Sequence, residues 1–379
     1  MITIFHLPTK IIFGPGSLER LGVEARKIGR KAILVCGSTS MRKAGVLDKV
    51  ITDLRDKNVE TLVFDRVESN PRTAMVDEGA RVARGVDLVI GLGGGSAMDS
   101  AKAIALASSG TAPLWDYVEA RRKVGAGDSI PAIIQVPTVA ASGSEVNGGA
   151  VITNRETKEK RVLFSPHIFA RVAIIDPALT LTLSERTTMQ GGVDIFCHLA
   201  ESYLTTRSPS PLTDGIMETT MRLVVETLPQ ALARLNDIEM RTRLSWASTI
   251  ACSQFTRLGG GSGYMTLHGI EHPLSGYYDI AHGDGLAALL PAWMRYTIPA
   301  QPKRFQSLGE NVFGESDAIK ATEKWLERVG MKLRLRELGI EFECIEEMAG
   351  SAVMTAPWLK EHPRLLDAAA ITQIYRESY

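Results

Sequence analysis

Across residues 31–176 the hydrophobic pattern alternates between two lengths. Short, almost wholly apolar runs at 32–36, 59–64 and 86–92 are each followed by a longer stretch (41–57, 73–84 and 96–108) whose apolar positions recur with a helical period. A strand that is apolar at every position has both faces covered, as in a parallel sheet flanked by helices. Runs at 130–136 and 172–175 supply further strands. This half is expected to be a doubly wound, Rossmann-like α/β domain.

After Asp176-Pro177 the pattern changes. The segments 194–203, 216–235, 241–255 and 319–338 carry 3.6-residue apolar spacing with few β-branched clusters, which predicts an all-helical second half. A chain of 379 residues is long enough for two cores. The expected fold class is α/β plus all-α, with an α/β domain over 1–180 and a helical domain over 181–379.

Charge narrows the classes of partner. Forty-three Lys and Arg balance 43 Asp and Glu, so no overall positive field draws the chain to phosphate backbones or anionic lipid, and neither nucleic acid nor membrane is expected as a partner. The four cysteines, Cys36, Cys197, Cys252 and Cys344, show no C-x-x-C spacing. That usage suits reduced thiols, and the expected location is cytoplasmic. Residues 1–10 lack the pattern of a secretory signal, and the longest uncharged segments are interrupted by Pro or by clustered Gly and Ser.

Three places could carry chemistry. The run Val86 to Leu92 leads into Gly93-Gly94-Gly95-Ser96-Ala97-Met98-Asp99, a strand, a glycine turn and a helix start. Backbone N–H groups at such a helix N-terminus suit a pyrophosphate, although Ser96 replaces the last glycine of the G-x-G-x-x-G pattern. A second small-residue turn, Thr138-Val139-Ala140-Ala141-Ser142-Gly143-Ser144-Glu145, follows another buried strand and offers hydroxyls to ribose and phosphate.

The third place is a set of histidines. His268, His272 and His282 fall within fifteen residues, and Asp194 and His198 stand four apart inside an apolar helix. A carboxylate and an imidazole on one helical face make half of a divalent metal site. Spacing alone does not choose among the three clustered histidines.

In these residues the chain resembles the iron-dependent (group III, metal-containing) alcohol dehydrogenases. Pro8-Thr9-Lys10-Ile11-Ile12-Phe13-Gly14 is similar to that family's first strand and Gly93 to Asp99 to its pyrophosphate loop. Gly191-Gly192-Val193-Asp194 with His198, and His268-Gly269-Ile270-Glu271-His272-Pro273-Leu274 with His282-Gly283, are similar to its metal motifs. The loop 257–264 looks longer than in the lactaldehyde-reducing members and, together with Trp246 and Trp293, resembles the butanol dehydrogenase branch.

The resemblance implies a metal-dependent alcohol dehydrogenase or aldehyde reductase, acting as a homodimer on a small primary alcohol or aldehyde. Asp194, His198, His268 and His282 would hold Fe(II), or Zn(II), and His272, close to the nicotinamide and titrating near neutral pH, would relay the proton. Gly94, Gly95, Ser96, Asp99, Thr138, Ser142 and Lys160 are counted as cofactor contacts, and Phe255 with the loop before His268 as pocket wall. Gly37, Ser38 and Ser40 form the turn after the 32–36 strand, where no carboxylate stands and Arg42 and Lys43 follow. NADP(H) is therefore expected in preference to NAD(H). Rival readings are a glycerol dehydrogenase or dehydroquinate synthase, or a metal- and nucleotide-binding regulator without catalysis.

Overall fold

The computed structural model describes residues 5–125, 128–258 and 263–379. Its strands are β1 (Lys10–Phe13), β2 (Lys31–Gly37), β3 (Glu60–Val67), β4 (Leu88–Gly93), β5 (Ala132–Pro137), β6 (Gly149–Asn154), β7 (Glu159–Phe164) and β8 (Val172–Ile175). Six of them form one parallel sheet in the order β1-β8-β5-β4-β2-β3. Every residue of β4 is buried, as are Ala32 to Cys36 of β2, because helices cover both faces. Registers of Cys36 with Leu92 and Gly93 with Pro137 align the carboxyl ends of β2, β4 and β5. The three turns that follow these strands are thereby neighbours, at the place where doubly wound sheets bind ligands.

The helices of this half are α1 (Leu21–Ile28), α2 (Ser40–Lys43), α3 (Val46–Asp56), α4 (Thr73–Val82), α5 (Gly95–Ser108) and α6 (Leu114–Val118). Leu21, Leu47, Val50 and Leu54 pack on one face of the sheet, while Val76, Ala101 and Ile104 pack on the other. The single helix expected over 41–57 is two, parted by Gly45 at φ +68°. Glycine takes that left-handed conformation without the Cβ clash that stops other residues.

One element went unread in the sequence. β6 and β7 form an antiparallel hairpin outside the main sheet. Glu159, Lys160 and Arg161 hide β7 from any search for apolar runs, although Lys160 and Leu163 are buried.

From residue 185 on, the described residues form helices and no strand: α7 (Glu185–Thr205), α8 (Pro211–Ala233), α9 (Ile238–Ala251), α10 (Thr266–Tyr278), α11 (His282–Thr297), α12 (Pro302–Leu308), α13 (Ala318–Arg328), α14 (Ile345–Thr355) and α15 (Ala368–Ser378). Phe196, Tyr203, Trp293 and Tyr375 fill their core. Two expected helices were too long. α9 stops at Ala251 rather than continuing to 255, and α13 stops at Arg328, beyond which Gly330 at φ +70° turns the chain. Among the described residues no helix is long and apolar enough to cross a membrane.

Candidate active site

A cavity of about 880 Å³ lies between the carboxyl ends of the strands and the helical half. That size suits a small-molecule or cofactor site. Gly37, Ser40, Gly94, Gly95, Ser96, Asp99, Thr138, Ser142 and Lys160 line its sheet side, and Asp194, His198, His268, His272 and His282 line its helical side. Ser38 does not line it: its hydroxyl lies 3.1 Å from that of Thr39, on the exposed side of the turn.

The glycine turn is shaped by close approach. Gly93 has φ +153°, and Gly94 N-caps α5 in an extended conformation. A Cβ on Gly95 would stand 2.9 Å from Ser142 Oγ, so the two small-residue turns face each other too closely for a side chain between them. The free N–H groups of the first turn of α5 open into the cavity there.

Asp99 and Lys160 line the cavity but are already engaged. Ser144 Oγ donates to Asp99 at 2.6 Å and the Val151 N–H at 2.8 Å, which ties the second turn to β6. Lys160 Nζ donates to Asn70 Oδ1 at 3.0 Å and stands 3.8 Å from Glu271.

On the helical side α7 supplies Asp194 and His198, α10 supplies His268 and His272, and His282 opens α11. Donor atoms of Asp194, His268 and His282 all lie within 4.8 Å of one another. Asp194 Oδ1 is 3.3 Å from His268 Nε2 and 3.9 Å from His282 Nε2. The His198 ring lies 4.2 Å, centroid to centroid, from that of His268.

Each of these three imidazoles has its Nδ1 held by an oxygen. His198 Nδ1 is 2.9 Å from the Asp194 carbonyl, His268 Nδ1 is hydrogen-bonded to Glu201, and His282 Nδ1 to Glu271. An Nδ1–H donated to a carbonyl or carboxylate fixes the tautomer and leaves Nε2 as a lone-pair donor, the arrangement of metal-binding histidines.

Electrostatics point the same way. Burial raises the Asp194 carboxyl, but the imidazoles of His198, His268 and His282 more than offset this and hold it well below the usual carboxylate range. Burial opposes charge on His268, yet Glu201 and Asp194 raise its imidazole to about 10, and a bound cation would take the place of the Nε2 proton. Burial takes His198 down to about 3 against the pull of Asp194. Three buried carboxylates, Asp194, Glu201 and Glu271, thus draw positive charge into this corner, and a divalent cation would supply it.

His272 departs from expectation. It is 3% exposed, its ring lies 6.1 Å from that of His282 and 6.4 Å from Trp358, and burial with the nearby Lys160 charge holds it far below neutrality. Burial thus favours its neutral form, against the expectation that it titrates near neutral pH.

Glu201 and Glu271 were not singled out in the sequence. Each stands three residues after a candidate ligand, His198 and His268, in a helix segment that is buried throughout. Phe255 is not part of the wall: it packs against Phe5, 5.7 Å between ring centroids, while its neighbours Gln254 and Thr256 face the cavity. Of the loop before His268, residues 259–262 lie outside the described residues.

Known proteins resemble this chain over nearly its whole length. The sequence model of the family described as iron-containing alcohol dehydrogenase matches residues 8–177, and that of the Fe-containing alcohol dehydrogenase family, C-terminal, matches 188–379. NADH-dependent butanol dehydrogenase A of Clostridium acetobutylicum is 33% identical over 388 residues, covering 99% of both chains. A probable NADH-dependent butanol dehydrogenase 1 of Bacillus subtilis is 38% identical over 319 residues, covering 84% of this chain and 81% of its own. The crystal structure of NADH-dependent butanol dehydrogenase A from Thermotoga maritima superposes with a TM-score of 0.93 at 33% identity, covering 99% of this chain and 98% of that one. With both halves matched and such relatives spanning nearly its whole length, this chain belongs to the iron-containing alcohol dehydrogenase family.

Proposed function

We propose that the chain is a metal-dependent alcohol dehydrogenase that moves hydride between a nicotinamide dinucleotide and a small primary alcohol or aldehyde. The observation that carries this is the orientation of three imidazoles by oxygen partners, with donor atoms of His268 and His282 gathered beside Asp194 and the His198 ring against that of His268, across the cavity from the glycine turn. Asp194, His198, His268 and His282 would hold the ion, and the family's description supports Fe(II), with Zn(II) the other cation this donor set suits. A divalent ion so held supplies Lewis-acid chemistry to a substrate oxygen.

The residues of the chain do the rest. Backbone N–H groups of Gly95 and Ser96 would take the pyrophosphate, and the Thr138 and Ser142 hydroxyls the sugar oxygens. His272, neutral in the wall, can accept a proton on one ring nitrogen while releasing one from the other, so the proton passes without a lasting charge there. The set of oriented ligands around an open cavity counts against a regulator that only binds nucleotide, and the similar butanol dehydrogenases count against a glycerol dehydrogenase or dehydroquinate synthase.

The finer choice of NADP(H) is weakened. Arg42 Nη2 donates to Asp65 of β3 at 2.8 Å, so one of the two cations expected near the 2′-phosphate, Arg42 and Lys43, is engaged elsewhere. Similar proteins are named NADH-dependent, and we place NAD(H) first.

Three further readings belong here. The division into domains at 180/181 is supported by the end of the last strand at Ile175 and the start of α7 at Glu185. The free state of all four cysteines supports a reducing, cytoplasmic setting. The open edge that β1 gives the sheet supports a homodimer, which sedimentation velocity checks: the mass of one chain would exclude it.

The test of function joins metal content to turnover. NADH oxidation with butanal should proceed in the iron-loaded wild type, faster than with NADPH, and Asp194→Ala or His268→Ala should fold yet lose bound metal and turnover together. Full metal stoichiometry in both variants would take these residues out of the site.

A further inference from the structure

The two halves meet on both sides of the cavity, in different ways. On one side contact is close and dry: a Cβ on Gly191 would stand 2.3 Å from the Ala140 carbonyl, one on Gly143 2.7 Å from the Ser248 carbonyl, and Thr249 Oγ1 donates to the buried Glu145 at 2.8 Å. The other side is polar. Asp279, in the corner between α10 and α11, accepts from Asn70 Nδ2 at 2.9 Å, Arg72 Nη2 at 3.1 Å and Arg155 Nη2 at 3.3 Å, all from the sheet-bearing half.

Backbone strain gathers on this polar seam. Among the described residues five non-glycine positions have positive φ, and three of them are here: Asn70 at 52°, Lys158 at 55° and Asp279 at 55°. Lys158 lies against α10, its carbonyl 2.5 Å from where a Cβ on Gly276 would be. Side chains rarely adopt this conformation unless their surroundings impose it, and such residues gather where geometry serves function.

The seam also leads to the site. Asn70 receives Lys160 on its oxygen while giving its amide to Asp279, Lys160 stands 3.8 Å from Glu271, and Glu271 holds His282. His282 itself follows Asp279 by three residues.

We propose that Asp279 is a positioning residue for the reaction, a clasp through which Asn70, Arg72 and Arg155 hold the α10–α11 corner, and His282 with it, against the dinucleotide side of the cleft. The dry side is then the fixed edge, and the polar side the one that opens for cofactor exchange. Two exposed arginine contacts and one part-buried amide contact are weak enough to break and re-form, which a gate requires and a fully buried core forbids.

The inference rests on the dinucleotide reading, and its test separates the two. Asp279→Gly and Asp279→Asn both accept a positive φ, so they remove contacts without adding backbone strain. NADH dissociation constants, from fluorescence titration, should rise about tenfold in the glycine variant and about threefold in the asparagine variant, which keeps an acceptor but no charge. KM for NADH should follow, and kcat should fall by a smaller factor than KM rises, because His282 loses part of its support. Amide hydrogen exchange of the unliganded protein should quicken in residues 66–72 and 276–284 and not in 93–97.

Unchanged NADH affinity and unchanged exchange at the seam would overturn the clasp. So would weakened binding without faster exchange, since Asp279 would then act by touching the cofactor. A wild type that bound neither NADH nor NADPH would sink the functional reading alone, because the exchange comparison still decides the clasp.

Discussion

At the scale of single residues, the site is set by side chains that need never touch substrate. Glu271 accepts from the Nδ1 of His282 and the hydroxyl of Ser275, and the His282 imidazole with the Lys160 charge holds it ionised against the opposing effect of burial. Glu271→Gln keeps an acceptor of the same shape but lowers the basicity of the imidazole it orients. Metal affinity should fall about tenfold to a hundredfold, read by competition with a fluorescent chelator, and an unchanged affinity would reduce Glu271 to a packing residue. His362 makes a prediction away from the site. It is 3% exposed, its Nε2 is 3.1 Å from Thr297 Oγ1, and burial takes its imidazole from 6.5 down to about 4. The fold therefore favours the neutral ring: that stability is whole above pH 6.5 and is lost as pH falls toward 4, where the unfolded chain takes up a proton first. The loss reaches about 3 kcal/mol at most, and His362→Gln should flatten the acid side of a stability–pH curve by that difference. Identical acid slopes in the two proteins would show that His362 does not titrate this way. The ligand candidates were legible in the sequence because His and Asp are conspicuous in apolar helices. Glu201 and Glu271 were not, since a glutamate in a helix ordinarily reads as a solvated face.

At the scale of elements, local pattern served where burial is uniform and failed where it is mixed. β2 and β4 are almost wholly apolar and lie within two residues of the runs that predict them, whereas β7 opens on three charged residues, Glu159, Lys160 and Arg161, and offers no apolar run of strand length. Helix ends were misjudged at Gly45 and Gly330 because apolar spacing continues across both, and only a positive φ breaks the helix. The hairpin that went unread is anchored from below by Lys102, fully buried in α5, whose Nζ donates to Asn147 Oδ1 at 3.0 Å and to the Gly149 carbonyl at 2.7 Å. Burial lowers this ammonium to about 8 against the attraction of Asp99 and Glu145, so removing it would leave two buried carboxyls without their cation. Lys102→Met should cost about 3 kcal/mol in chemical denaturation and quicken amide exchange in β6. A loss below about 1 kcal/mol would mean that those carboxyls are protonated and the lysine carries little.

At the scale of the whole molecule, the sheet and the helical bundle have separate apolar cores, and the cavity lies where they meet. Alternating β and α pattern followed by continuous helical pattern was enough to foresee those two bodies. Their mutual placement was not legible, because the contacts that set it are single polar residues such as Asn70 and Asp279, far apart in sequence and unremarkable in either local pattern. This arrangement fixes how the protein should answer to its cofactor. A dinucleotide seated on the glycine turn alone would stabilise only the sheet-bearing half. One that also meets the helical wall around His272 must tie both halves into one unfolding unit, since separation would forfeit half of its contacts. NADH at about 100 times its dissociation constant adds about 2.7 kcal/mol to whatever must open to release it. Hydrogen exchange near the melting onset should therefore slow in β4 and α5 and, by a comparable factor, in α7 and α10. Protection confined to the sheet-bearing half would place the cofactor on the glycine turn alone and leave the histidine corner without a hydride partner.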